Sequence, residues 1–176
     1  MFQYFNPNLY VDSVLDLTPK RLQQYALKSL LLDVDCTLKN YRSADISQEI
    51  SSWIEMMKDN GIGLCLLSNG RHERIRCFAE QVQLPFVALA MKPLPFGCRT
   101  AIQTMNFDKK STAIVGDQVF ADLLAGKLAG LFTILVAPIL PEEEPWFTRI
   151  KRPLERMVLY PKHIRCRECP YLRDTW

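Results

Sequence analysis

No apolar run in this 176-residue chain approaches the roughly 20 residues that a membrane-spanning helix requires. The opening stretch, MFQYFNPNLYVDS, lacks the basic region, apolar core and small-residue cleavage site of a signal peptide, so the expected location is the cytoplasm, with peripheral membrane contact left open. There is no internal repeat and no low-complexity linker. A G-x-G-x-x-G following a strand is also missing; the glycines of NGIG and LAGLF are turn residues, which argues against a dinucleotide site. The six cysteines, at 36, 65, 77, 98, 166 and 169, are scattered, and three lie in or beside strongly apolar stretches. That pattern fits reduced intracellular thiols and not a disulfide framework.

What is present describes one folded domain. Hydrophobic residues make up 48% of the chain and charged residues 23%, enough for a full core. The domain is expected over residues 1–160, including a helical N-terminal extension, followed by a basic tail over 161–176. The net charge of +3 is uneven. From Arg149 onward eight Lys or Arg face three acids, a balance of +5, so the rest of the chain carries −2. Such a tail attracts phosphate-rich surfaces or is simply a solvated end.

Five short apolar runs are strand candidates: 29–34, 62–68, 86–90, 112–116 and 132–137. They lack period-2 alternation, as strands buried on both faces of a parallel sheet do. Between the first two lies DISQEISSWIEMMKDNG, with Asp45 and Gln48 placed as a capping box, apolar residues at 46, 50, 53, 54 and 57, and Gly61 as terminator; this spacing predicts a helix. Helical patterns also fit 71–82, 95–105 and 119–129. The first 28 residues read as one or two further helices. The order β-α-β-α-β-α-β-α-β predicts an α/β fold, a doubly wound, mostly parallel five-stranded Rossmann-like sheet with helices on both faces. PEEEP at 141–145 is the clearest break, and beyond it apolar residues at 146, 150, 154 and 157 or 158 outline a helix face, interrupted by Pro153, that folds back on the domain.

In open parallel sheets ligands bind at the carboxyl ends of the strands. Here those ends carry Asp33 and Asp35, then Ser68, Asn69 and Gly70, then Met91 and Lys92, then Gly116, Asp117 and Gln118. Polar residues commonly cap strands, but this set brings three carboxylates, an ammonium and a small hydroxyl to one rim. Three aspartates without histidine or thiolate make a hard oxygen site suited to Mg²⁺. A divalent cation beside a lysine clamps a phosphoryl group. Asp33 is then placed to attack phosphorus, and Asp35 to give a proton to the leaving oxygen and take one from water.

The combination DVDCT, SN, KP and GDQVFAD resembles the four motifs of the haloacid dehalogenase superfamily of aspartyl-phosphate phosphatases. More narrowly it resembles the YqeG-type, subfamily IIIA branch, which includes phosphatidylglycerophosphate phosphatases of mitochondria, plastids and bacteria. The likeness runs from about Phe5 to Tyr160. It implies Asp33 as nucleophile and Asp35 as acid/base, with the Asp35 backbone carbonyl also reaching the metal. Thr37 steadies the loop and, with Ser68, Asn69 and Lys92, belongs to the phosphate-binding set. Asp117 holds Mg²⁺, and Asp122 orients the metal's surroundings. Cys36 and Gly70 stand where asparagine is usual, and Ala121 where threonine is frequent. Many relatives insert a cap domain after the first motif or between the second and third; here neither gap has room for one, so an open site is expected. An open site suits a phosphate displayed on something large, such as a lipid headgroup, and the resemblance implies phosphatidylglycerophosphate. Trp146, Phe147 and Trp176 could approach such a surface, although core packing of the last helix is the favoured reading.

Other readings stay open from the sequence. They are a phosphatase of a soluble phosphomonoester, a receiver-like domain, and a non-catalytic nucleic-acid or protein binding module. Nucleic acid is not the expected partner. In a receiver the lysine lies near the end, whereas here it precedes Asp117. Cys166 and Cys169 form a C-x-x-C, but zinc needs two further ligands and His163 supplies at most one. His72, beside Arg71 and Arg74, reads as a surface residue at a helix start, with substrate contact as the alternative.

Overall fold

The non-alternating apolar runs form the centre of a six-stranded parallel sheet whose two faces are both covered. The structure is a computed structural model and describes residues 5–40 and 46–139, together with Pro153. The strands are β1 (Leu9–Val11), β2 (Ser29–Leu32), β3 (Gly63–Leu67), β4 (Phe86–Val87), β5 (Thr112–Gly116) and β6 (Phe132–Val136), in the spatial order β1-β6-β5-β2-β3-β4. Helices α1 (Pro19–Gln24), α2 (Gln48–Asp59), α3 (His72–Val82), α4 (Phe96–Met105) and α5 (Leu124–Ala129) connect them.

Successive strand residues point to opposite faces. Leu30 and Leu32 of β2, Leu64 and Leu66 of β3, and Ala113 and Val115 of β5 therefore join the core under α2 and α3. Leu31, Cys65, Leu67 and Ile114 join the core under α4 and α5. Both parities are buried, which is why no alternation shows in the sequence. Trp53 of α2 closes the first core by donating its indole N–H to the Leu17 carbonyl at 2.8 Å.

The expectation of five strands is corrected to six among the described residues. The N-terminal segment, read as helical throughout, begins with strand β1, which pairs Leu9, Tyr10 and Val11 with Ile134, Leu135 and Val136 of β6. Three residues on a sheet edge are too few to show a period. Beyond β1 the helical reading holds: a 3₁₀ turn over Val14–Asp16 is capped reciprocally by Ser13 and Asp16, and α1 is capped by Thr18 with Pro19 at its first position. Two other boundaries move. Helix α2 is capped by Ser47, whose hydroxyl accepts the Ile50 N–H, and not by a box from Asp45, which lies outside the described residues. Strand β4 stops at Val87, because Leu89 and Met91 adopt left-handed backbone with φ of 50° and 58°.

The helix face after PEEEP, the aromatic residues at 146, 147 and 176, the C-x-x-C and the basic tail all lie outside the described residues. Among the described residues no helix is long and apolar enough to cross a membrane.

Chain order reverses at β2, which is flanked by β3 on one side and β5 on the other, both parallel to it. All the strands run the same way, so the loops after β2, β3, β4 and β5 meet at one edge, at the switch point.

Candidate active site

Each group expected at the rim arrives from the carboxyl end of its own strand. The Asp33 N–H extends the β2 ladder to the Val115 carbonyl at 2.9 Å, which fixes Asp33 one residue beyond the strand. Lys92, after β4, reaches back under this loop. Its ammonium donates to Asp33 Oδ1 at 2.5 Å, to Asp122 Oδ1 at 2.6 Å and to the Leu67 carbonyl at 2.9 Å, and so uses all three of its protons. Asp122 lies in a single π-helical turn, Val119–Leu123, and its second oxygen accepts the Gln118 N–H at 3.0 Å. Glycine is required at 116, where a Cβ would come within 2.3 Å of the Asp122 carboxyl carbon. Asp117 is fully buried, and the Thr37 hydroxyl donates to its Oδ1 at 3.4 Å.

The outcome is a buried cluster in which one oxygen from each of Asp33, Asp117 and Asp122 lies within 4.8 Å of the others. Three carboxylates against one ammonium leave a surplus of negative charge, which a divalent cation would cancel. Asp33 Oδ2 has no hydrogen-bond partner, although it is buried. A buried carboxylate oxygen of this kind costs free energy unless something binds it, so the residues present fit a cation or a phosphoryl group. Burial raises the Asp33 carboxyl well above the ordinary carboxylate range; Lys92 opposes that shift, while Asp122 and Asp117 add to it. Burial works against the charge of Lys92, but Asp122 and Asp33 outweigh it and hold the ammonium above the ordinary lysine range. The neighbouring thiols Cys65 and Cys98 are both pushed up to about 12, chiefly by burial, so they stay protonated and the donor set is oxygen alone.

Of the residues expected to bind phosphate, Ser68 is buried and its hydroxyl accepts the Gly70 N–H at 3.0 Å, which shapes the loop after β3. Asn69 bonds at both ends of its amide to the Lys92 backbone, accepting the N–H and donating to the carbonyl, each at 2.8 Å. It therefore fixes the segment that carries the lysine.

The Asp35 carboxylate lies outside the three-oxygen cluster. Both of its oxygens receive Arg74 of α3, Oδ1 at 2.8 Å and Oδ2 in a shorter contact, and Lys39 approaches Oδ1 to 3.8 Å. Sequence reasoning noticed Arg74 only as a neighbour of His72, and it missed Lys39 altogether. The Arg74 pairing has no local sequence signal, because Arg74 is 39 positions from Asp35; Lys39 lies only four positions on, and that spacing could have pointed to it. His72 opens α3 with an exposed side chain, its ring centre 5.2 Å from that of Phe86. Beyond Lys39 a pocket of about 490 Å³ opens between Leu15, Leu38, Ile46, Ile50 and Ile139.

Backbone conformation accounts for Cys36. The residue is left-handed, φ 62°, with its N–H bound to the Lys39 carbonyl and its carbonyl accepting the Ile139 N–H. Asparagine tolerates that conformation, which fits its being usual at this position, and a β-branched residue does not. Cys36→Val is expected to lower stability by about 1–3 kcal/mol while Cys36→Gly holds near the parent, as read from urea midpoints.

Comparison with known proteins fits this geometry. Residues 14–130 match the haloacid dehalogenase-like hydrolase family. The chain is 31% identical over 157 residues to the Bacillus subtilis (strain 168) protein named "Probable phosphatase YqeG", spanning 89% of this chain and 91% of that one. Among solved structures it is similar in fold to the cobalt-bound deoxy-D-mannose-octulosonate 8-phosphate phosphatase YrbI of Haemophilus influenzae, with TM-score 0.54, 20% identity, and 77% and 89% of the two chains covered. A hydrolase from Streptococcus pneumoniae TIGR4 superposes with TM-score 0.53 at 14% identity, covering 74% of this chain and 99% of that one. With the family matched over residues 14–130 and a relative 31% identical across 89% of its length, the chain belongs to the haloacid dehalogenase-like hydrolase family, in its YqeG-type branch.

Proposed function

We propose that the protein hydrolyses phosphomonoesters through a covalent aspartyl-phosphate on Asp33, with Mg²⁺ as its cation, and that its substrate phosphate is displayed on a lipid headgroup, phosphatidylglycerophosphate being the leading candidate. The observation that carries the reaction type is the Lys92 ammonium bridging Asp33 and Asp122 beside Asp117, with one Asp33 oxygen left unbonded. A cation held by Asp33, Asp117 and Asp122 would neutralise charge on the transferring phosphoryl oxygens.

The chain's own groups supply the rest. An Asp33 oxygen forms the bond to phosphorus as the bond to the leaving oxygen breaks, and Asp35 gives that oxygen its proton. Asp35 then takes a proton from water, whose oxygen attacks phosphorus and releases Asp33 and inorganic phosphate. Lys92 holds Asp33 in place and offsets the repulsion between carboxylate and phosphate. Ser68 sits at the end of β3 beside this path, and Asn69 keeps Lys92 aligned.

The lipid reading is supported by the surface around the site. Leu89, Met91 and Leu94, on the loop that carries Lys92, and Phe96, which opens α4 just beyond it, are 61%, 55%, 45% and 52% exposed. Arg71 and Arg74 are exposed on the adjacent loop and helix, and the Leu89 N–H bonds to the Gly70 carbonyl between β3 and α3. Apolar side chains next to cations, at the mouth of a phosphoryl site, match the boundary between acyl chains and phosphate headgroups. Peripheral contact with a membrane is part of this reading, whereas nucleic acid is not.

The test is phosphate release by the purified protein with Mg²⁺, scored as kcat/KM across phosphatidylglycerophosphate and soluble sugar and nucleotide phosphates. The lipid is expected to lead and chelation with EDTA to stop turnover. Preference for a soluble ester would remove the lipid assignment; undiminished turnover in EDTA would remove the metal.

A further inference from the structure

The Arg74 guanidinium spans both oxygens of Asp35, in the two-pronged geometry that guanidinium groups form with carboxylates and phosphates alike. Its side chain is 42% exposed, whereas Lys92, the cation of the phosphoryl site, is only 3% exposed. Arg74 therefore stands at the mouth while Lys92 lies at the floor. Arg74 sits in the first turn of α3, whose amino end has no side-chain cap, so the backbone there adds positive potential at the same place. Room for the guanidinium comes from Gly70: a Cβ at that position would lie 2.7 Å from Arg74 Nη2.

Turnover as proposed above needs Asp35 at the leaving oxygen, and a carboxylate gripped at both oxygens by Arg74 is held away from that task. A substrate that carries a second anion on its leaving group can take over the guanidinium, which binds the substrate and frees Asp35 in one exchange. We propose that Arg74 forms a second anion-binding subsite, selecting phosphomonoesters whose leaving group bears a further phosphodiester, phosphate or carboxylate. This subsite is distinct from the phosphate floor made by Lys92 and Ser68, and it rests on the phosphomonoester reading.

The test compares two pairs, in each of which one member carries on its leaving group a phosphodiester, with its added glycerol, that the other lacks; the Arg74 variants separate the effect of the anion from that of the glycerol. One pair is phosphatidylglycerophosphate against phosphatidic acid in the same mixed micelles. The other is deacylated glycerophosphoglycerol phosphate against glycerol 3-phosphate in solution. The wild type is expected to favour the doubly anionic member of each pair in kcat/KM. Arg74→Gln should lower that preference at least about tenfold, Arg74→Lys should retain part of it, and Gly70→Ala, which displaces the guanidinium, should lower it in the same direction. A preference in both pairs would show that Arg74 reads the headgroup's second anion in solution; a preference confined to the micellar pair would show that it reads the same anion only when a lipid surface presents it. Either result supports the subsite. Equal use of both members by the wild type, or an unchanged preference in Arg74→Gln, would overturn it while leaving the phosphatase reading intact. No phosphate release from any of the four would instead overturn that reading, and the subsite with it.

Discussion

Asp33→Asn is expected to abolish turnover, by about 10⁴-fold or more in kcat, and at the same time to make the metal-free protein more stable than the wild type. The first effect follows from loss of the attacking oxyanion. The second follows from burial, since three carboxylates share one ammonium and the Asp33 carboxyl is held well above its ordinary range. Ionising a group whose folded-state pKa is raised costs folding free energy. That cost is absent below the ordinary carboxylate range, grows as pH rises toward the raised value, and is fully present above it. The stability advantage of Asp33→Asn should therefore be greater at neutral pH than at pH ~4 and shrink on acidification between them, a sign opposite to that of an ordinary surface salt bridge. Added Mg²⁺ should narrow the advantage from the other side. A cation at about ten times its Kd stabilises the wild type by about 1.4 kcal/mol and should stabilise the variant less. Urea titrations with and without EDTA, at two pH values, read all of this. A variant less stable than the wild type in EDTA at neutral pH would show that Asp33 is a net stabilising partner of Lys92 and that the site carries no electrostatic strain.

Lys92→Met should act in the opposite direction on stability. The ammonium is the only cation donating to Asp33 and Asp122 among the described residues, and it is 3% exposed. Its removal leaves three buried carboxylates facing one another, a loss of about 3–5 kcal/mol for breaking a buried pair from one side. The Asp33→Asn change added to Lys92→Met should recover part of that loss, because the two residues share one contact and their effects are not additive. In the wild type, Lys92 is held above its ordinary range. The stability it contributes is thus fully present below the ordinary lysine pKa and is lost as pH rises through the folded-state value. A double-mutant cycle by urea unfolding in EDTA measures the coupling, and zero coupling would mean that Lys92 does not neutralise Asp33.

The sequence foretold the part of the fold that depends on local pattern. β2, β3, β5 and β6 are continuous apolar runs of strand length, and each of the first three leads into polar residues that end up at the rim, so strand ends and site residues could be read together. β1 could not, because a three-residue edge strand has no measurable period and its pairing with β6 spans 125 positions. The reach of β4 was overstated for a similar reason: nothing in FVALA announces that Leu89 turns left-handed.

The site divides in the same way. Asp33, Lys92 and Asp117 follow from strand order alone, and the structure brings the first two into contact and the third into the same oxygen cluster. The resemblance implies that Asp122 orients the metal's surroundings; the structure adds that it shares the Lys92 ammonium and supplies one of the three clustered oxygens. That could not be inferred without the π-helical turn that tips it inward. Arg74 was invisible as a partner of Asp35, because that pairing is made by the fold across 39 positions, whereas Lys39 stands four positions from Asp35 and was legible from spacing. The left-handed backbone at Cys36 has no sequence signal either, because such a residue announces itself only when it is glycine or asparagine.

The central claim is that Asp33 becomes covalently phosphorylated during turnover. Borohydride reduction of an acyl phosphate, trapped by rapid quench with substrate and Mg²⁺ and followed by peptide mass spectrometry, tests it directly. Conversion of Asp33 to homoserine is predicted in the wild type, with no such product when substrate or Mg²⁺ is withheld. Reduction at a different residue, or no reduced residue in a preparation that is releasing phosphate, would contradict it.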